Sequence, residues 1–169
     1  AQLNASIGRH DLVIEDCTRL LVLQPGMVEA HRLRGLAYHG VGELEEAVAD
    51  FTQGLVHAPD DVALLRTRSD DAYALGEFEL AIRDLDQLIA QFNDDAELYF
   101  NRARAHASLG HYDDAQRDMA HALRIDPDRG WDAMWERFLV RLAWSRFRGN
   151  QLEDAVDLWT QVITINPPE

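Results

Sequence analysis

Lysine is absent, and all sixteen basic residues are arginine. Every cationic side chain is therefore a planar fork that can grip a carboxylate through two N–H groups at once. Cysteine occurs once, at Cys17, which excludes a disulfide framework and fits a reducing compartment. No apolar run is long enough to span a bilayer, and no secretory signal is visible. The expected location is cytoplasmic. The net charge of −14 argues against nonspecific binding to nucleic acid or to an anionic membrane. No glycine-rich loop follows a strand-like run, and no nucleophile elbow occurs. Catalysis and a cofactor are therefore not expected. Histidines at positions 31, 39, 57, 106, 111 and 121 are scattered. His106 and His111 are five apart, with no cysteine or fixed carboxylate beside them, and are not expected to form a metal pair.

What the sequence does have is a period. Gly8, Gly42, Gly76 and Gly110 lie 34 residues apart, as do Val13, Ala47, Ala81 and Ala115. Pro25 and Pro59 are one period apart, Asn93 takes the next place, and Pro127 follows. A last copy is displaced by six residues, with Ala155 and Pro167 each 40 after Ala115 and Pro127. The boundaries are a partial repeat 1–27, repeats 28–61, 62–95 and 96–129, an insertion 130–135, and a repeat 136–169. Each repeat reads as two amphipathic helices joined by a short turn. The predicted hairpins are Met27–Val41 with Glu45–His57, Val62–Leu75 with Phe78–Gln91, Ala96–Leu109 with Asp113–Ile125, and Asp132–Arg148 with Leu152–Ile165. Residues 1–8 read as the tail of a lost helix, with Asp11–Leu23 as its partner. Opening at Ala1, in mid-repeat, the chain reads as a piece of something longer. The missing helix would leave Leu12, Leu20 and Leu21 less covered.

Small residues at Gly35, Ser69, Ala103 and Ala143 allow the helices of a hairpin to approach closely, and Ala47, Ala81, Ala115 and Ala155 do so from the other side. No such hairpin buries its apolar stripe alone, so neighbours must stack. One array over 1–169 is expected, and 47% hydrophobic content suffices for a continuous core. Two further columns run through the repeat. Arg34, Arg68 and Arg102 share one, and Asp50, Asp84 and Asp118 share the other. Both become apolar together in the last copy, as Leu142 and Leu158. The joint change predicts that the columns touch, within a hairpin as Arg34–Asp50, Arg68–Asp84 and Arg102–Asp118, or alternatively with each Asp meeting the Arg of the next repeat, so that Asp16 meets Arg34. Cys17 shares the column of Phe51 and Met119 and reads as a core thiol.

The pattern resembles the tetratricopeptide repeat (TPR) family. The residues that carry the resemblance are Gly35, Gly42, Ala47, Phe51 and Pro59 in one copy and Ala103, Gly110, Ala115, Met119 and Pro127 in another. Ala143, Ala155, Trp159 and Pro167 carry it in the last. The copy with Ser69, Leu85 and Asn93 departs most. The resemblance implies an all-α, right-handed α-solenoid of about four and a half helix hairpins. It also implies that the first helices line a concave groove that grips a peptide of a partner. Carried over position by position, that surface includes Arg32, Arg66, Tyr73, Phe100, Asn101, Arg104, Arg137, Arg141, Trp144, Phe147 and Arg148. It holds more arginine than its acids Glu29, Asp70 and Glu97, in a strongly acidic chain. Arginine with aromatics is the usual make-up of a binding hot spot, so an acidic or carboxylate-ended segment is the expected ligand.

Co-chaperone members of the family hold a terminal carboxylate with a clamp. Its matching positions here are Arg66, Asp70, Asn101, Arg137 and Arg141. Asp70 has the wrong sign and would repel a carboxylate. The insertion adds six residues, about 9 Å if helical, and brings Trp131 and Trp135 onto one helical face. They are expected either to pack on the preceding hairpin, near Leu123 and Ile125, or to protrude as an anchor. The leading function is a protein-interaction scaffold. Two alternatives are a homo-oligomeric assembly module using repeat edges and a Trp131/Trp135 ridge, and a regulatory domain of a larger enzyme.

Overall fold

The computed structural model describes the backbone of residues 2–165 and the side chains of residues 9–163. Among the described residues every regular element is helical: α1 (Gln2–Leu23), α2 (Val28–Val41), α3 (Leu44–His57), α4 (Val62–Leu75), α5 (Phe78–Gln91), α6 (Ala96–Leu109), α7 (Tyr112–Ile125), α8 (Trp131–Arg148) and α9 (Leu152–Ile165), with a 3-10 turn at Pro127–Arg129. The chain divides into two compact units, 1–91 and 92–169. In the first, α1 to α5 pack each on the next. In the second, α6 pairs with α7 and α8 with α9. No described helix is long and apolar enough to cross a membrane.

The helices start and stop where local chemistry dictates. Asp61 caps α4 by accepting from the amides of Ala63 and Leu64, and Asp95 caps α6 through Glu97. Gly42, Gly76 and Gly110 end α2, α4 and α6 in the left-handed region, at φ 86°, 84° and 85°, where a side chain would be strained. Gly8 does not play this part. From Gln2 on, the expected helix tail and Asp11–Leu23 are not two helices but one continuous α1. A lone glycine with no proline near it is tolerated in a helix for roughly 1 kcal/mol. The insertion also differs from expectation. α8 has 18 residues against 14 in α4, so four of the six added residues are helical; one more lengthens the linker before α8 and one the turn between α8 and α9.

Close approach defines each hairpin. A Cβ on Gly35 would lie 2.5 Å from the Phe51 ring, so only glycine admits that aromatic. Ala47, Ala81, Ala103, Ala143 and Ala155 are fully buried. Cys17 is buried with the core, and burial pushes its thiol pKa up. Leu12 and Leu20 are exposed as expected, but Leu21 is covered.

The two charged columns meet within hairpins. Arg34 donates from Nε and Nη2 to Asp50 at 2.7 Å each. Arg68 holds Asp84 at 2.8 and 2.6 Å, and Arg102 holds Asp118 at 2.7 and 2.6 Å. The three aspartates are buried. The alternative pairing with the preceding repeat does not occur for Asp16. The third Arg34 nitrogen, Nη1, instead reaches Thr18 Oγ1 at 3.0 Å, and that of Arg68 reaches Thr52 at 3.0 Å. One fork thus ties its own hairpin and the preceding helix together. In the last repeat Leu158 is buried at the Asp position.

Removing one member of such a pair leaves a buried charge without compensation. Arg68→Ala is expected to cost about 3–5 kcal/mol. The double change Arg68→Leu/Asp84→Leu, which copies the last repeat, should cost less than either single change. Urea unfolding midpoints of Arg68→Ala, Asp84→Leu and the double variant check this.

Candidate functional site

The expected binding residues fall into two groups by unit. Arg32, Arg66 and Tyr73 belong to the first. Arg32 is neutralised on its own helix, with Nε and Nη2 on Glu29 at 2.9 and 2.6 Å. This salt bridge lowers the Glu29 pKa and raises that of Arg32. Tyr73 is half-buried, its ring edge-on to Phe78 at 5.3 Å, and Arg66 is half-buried. His39, also on α2, is bonded to the buried Asp71 at 2.6 Å.

The second unit holds the more open group. Arg137, Arg141, Trp144 and Arg148 follow one another on α8 at spacings of four, three and four, which places them on one stripe. All four are exposed, and Trp144 is 52% exposed. Several arginines in the described residues are engaged by carboxylates, among them Arg19, Arg32, Arg34, Arg68, Arg102, Arg117 and Arg129. No carboxylate among the described residues pairs with Arg137, Arg141 or Arg148. Beside the stripe, Arg104 of α6 lies over the Phe138 ring at 5.7 Å and donates weakly to Asn101 Oδ1 at 3.4 Å. Arg146 donates from Nη2 to the Ser108 carbonyl, so α8 is pinned to α6 and its outward stripe is fixed. At the end of α8, Trp144, Phe147 and Trp159 form a cluster with centroids 5.4–5.9 Å apart.

Phe100 is not part of this surface. It is buried, with Trp131 at 4.8 Å and Trp135 at 6.4 Å between ring centroids. Spacing placed Phe100 on the outer stripe of α6, but the turn added to α8 brings two indoles over it. The same contacts remove the Trp131/Trp135 ridge. Both rings are buried, so neither is a protruding anchor. Their partners are Phe100 and Phe138.

Two features escaped the sequence reading. A cleft of about 420 Å³ opens in the second unit, lined by Met119 and Leu123 of α7, Trp135 of α8 and Thr160 and Gln161 of α9. Its only sequence signal is the insertion. The other is a proximity: His106 and His111, five apart in sequence, have donor atoms within 4.8 Å of each other and of an Asp114 oxygen. The left-handed Gly110 reverses the chain between them and folds residues five apart onto one another.

Models of the tetratricopeptide repeat match residues 5–69, 96–129 and 138–168. No curated protein matches the chain in sequence. Among solved structures, MamA is 18% identical, with 94% of this chain and 89% of that one covered at a TM-score of 0.66. YrrB, described as a TPR protein with an unusual peptide-binding site, is 18% identical over 99% of this chain and 84% of its own, at a TM-score of 0.68. The first TPR of Spaghetti (RPAP3), solved with the HSP90 peptide SRMEEVD, is 22% identical over 62% and 82% at 0.55. At these identities the likeness is one of fold.

Phe100→Ala is expected to lose about 3–5 kcal/mol of stability. Trp144→Ala, half in solvent, should lose well under half as much. Denaturant unfolding of both variants checks the assignment of one ring to the core and the other to the surface.

Proposed function

The chain belongs to the tetratricopeptide repeat family, and from that premise we propose that it is a protein-interaction scaffold whose α8 stripe holds an acidic or carboxylate-ended segment of a partner. The observation that carries this reading is the set Arg137, Arg141 and Arg148, exposed on one stripe with Trp144 and without carboxylate partners among the described residues. In a chain of net charge −14, arginines such as Arg32, Arg34, Arg68, Arg102 and Arg129 meet carboxylates, whereas these three, on one stripe, do not among the described residues. Each fork can take a carboxylate through two parallel N–H groups, and Trp144 supplies apolar area at low entropic cost. Asn101 and Arg104 extend the surface onto α6.

The neighbours add support of a general kind. One was solved with an acidic peptide and one is described by its peptide-binding site. The matching models are repeat models, not those of an enzyme family. Asp70, exposed at a clamp position, weighs against recognition of a free C-terminus through that clamp. Side-chain carboxylates are therefore the preferred ligand. Exposed charge pairs are worth roughly 1 kcal/mol or less each, so affinity for one short peptide should be on the order of micromolar.

A second reading, self-association, rests on a different surface from the tryptophan pair. Leu152, Val156 and Ile163 are 52%, 57% and 56% exposed along one side of α9. Sedimentation of wild type and Val156→Glu separates the readings: a concentration-dependent dimer lost in the variant favours assembly.

The peptide test is a tryptophan-fluorescence titration with acidic peptides bearing free or amidated C-termini, at low and high salt. Equal binding of both forms, weakened by salt and at least tenfold weaker in Arg137→Glu/Arg141→Glu, is the expected result. Binding that survives the double charge reversal would refute the stripe.

A further inference from the structure

We infer that the turn between α6 and α7 is a binding site for a divalent transition-metal ion, with His106, His111 and Asp114 as its three protein ligands. One donor atom from each lies within 4.8 Å of the other two, and the imidazole centroids are 5.9 Å apart. Around a tetrahedral zinc ion neighbouring donors lie about 3.3 Å apart, so closure needs side-chain shifts on the order of 1 Å. The backbone between them is already fixed. Gly110 is left-handed, its amide donates to the Ala107 carbonyl, and the His111 amide donates to the His106 carbonyl at 2.9 Å. Asp114 follows in the first turn of α7.

The repeat itself does not require these residues. The same three positions are Tyr38, Glu43 and Glu46 two repeats before, Ala72, Glu77 and Leu80 one repeat before, and Arg146, Gln151 and Asp154 in the last copy. The combination of two imidazoles and a carboxylate occurs only in the repeat 96–129. His106 also bears an independent mark. Its Nδ1 is sealed from solvent and has no hydrogen-bond partner, although buried polar atoms are almost always satisfied. His111 is exposed, which leaves an ion a way in. Asp114 is shared with Arg117, at 2.5 Å, but that guanidinium is 73% exposed, and such a pair is readily displaced.

Two nitrogens and one carboxylate suit zinc, cobalt or nickel better than magnesium or calcium. Three protein ligands leave one position for water or for a side chain of a partner.

The test is calorimetric titration of the protein with zinc chloride alone, in a buffer that does not chelate. One ion per chain should bind, with a Kd on the order of micromolar. His111→Asn, at an exposed turn, should weaken binding at least tenfold with unchanged circular dichroism. His106→Gln should do the same, and His57→Asn should change nothing. Cobalt should give visible ligand-field bands in the wild type that vanish in His111→Asn. Equal zinc affinity in wild type and folded His111→Asn would overturn the site. So would the absence of any binding up to roughly 100 μM zinc.

Discussion

The bidentate bridge between an arginine of the first helix and a buried aspartate of the second is the interaction on which the rest depends. It occurs three times in one register, as Arg34–Asp50, Arg68–Asp84 and Arg102–Asp118. A desolvated ion pair of this kind adds little net stability compared with apolar packing, as Leu158 at the fourth position illustrates. What it does is fix rotation. A helix held by two parallel N–H bonds cannot turn about its axis without breaking both. The face opposite the bridge is thereby assigned to the outside, and with it the residues available to a partner. Where the bridge is replaced by leucine, in the last hairpin, α8 takes its orientation from Arg146 on Ser108 and from the indoles packed over Phe100.

Much of this was legible in the sequence, because a repeat writes the same constraint several times. The limits of α4, α5, α6 and α9 follow directly from the glycine, aspartate and alanine columns. The arginine–aspartate bridges could be read from a coordinated loss, Leu142 with Leu158. Three things were not legible, each for a physical reason. Gly8 looks like Gly42, yet glycine also fits inside a helix, and only the packing of a following helix selects the turn. Phe100 lies on the outer stripe by helical spacing, but its exposure is decided by Trp131 and Trp135, which come from another helix. His106 and His111 look unrelated at a separation of five until the left-handed glycine between them folds the chain back.

The candidate site shows the same division between pattern and packing. The excess of arginine on first helices was visible in the sequence. Which arginines stay open was not, since Glu29 neutralises Arg32 only through a particular rotamer. Packing reduces a broad expected surface to a stripe on α8, with Arg137, Arg141, Trp144 and Arg148 outward. The acidic balance of the whole chain sharpens the contrast. On the proposed reading, carboxylates elsewhere on the chain would repel an acidic partner, and the net charge would help to direct it to that stripe.

The most direct measurement is an amide and indole NMR map of the protein titrated with an acidic peptide. The account predicts shifts on Arg137, Arg141 and Arg148 and on the Trp144 indole, with Leu152, Val156 and the cleft beside Trp135 unmoved. Shifts confined to α9 or to that cleft, with the α8 stripe silent, would contradict it.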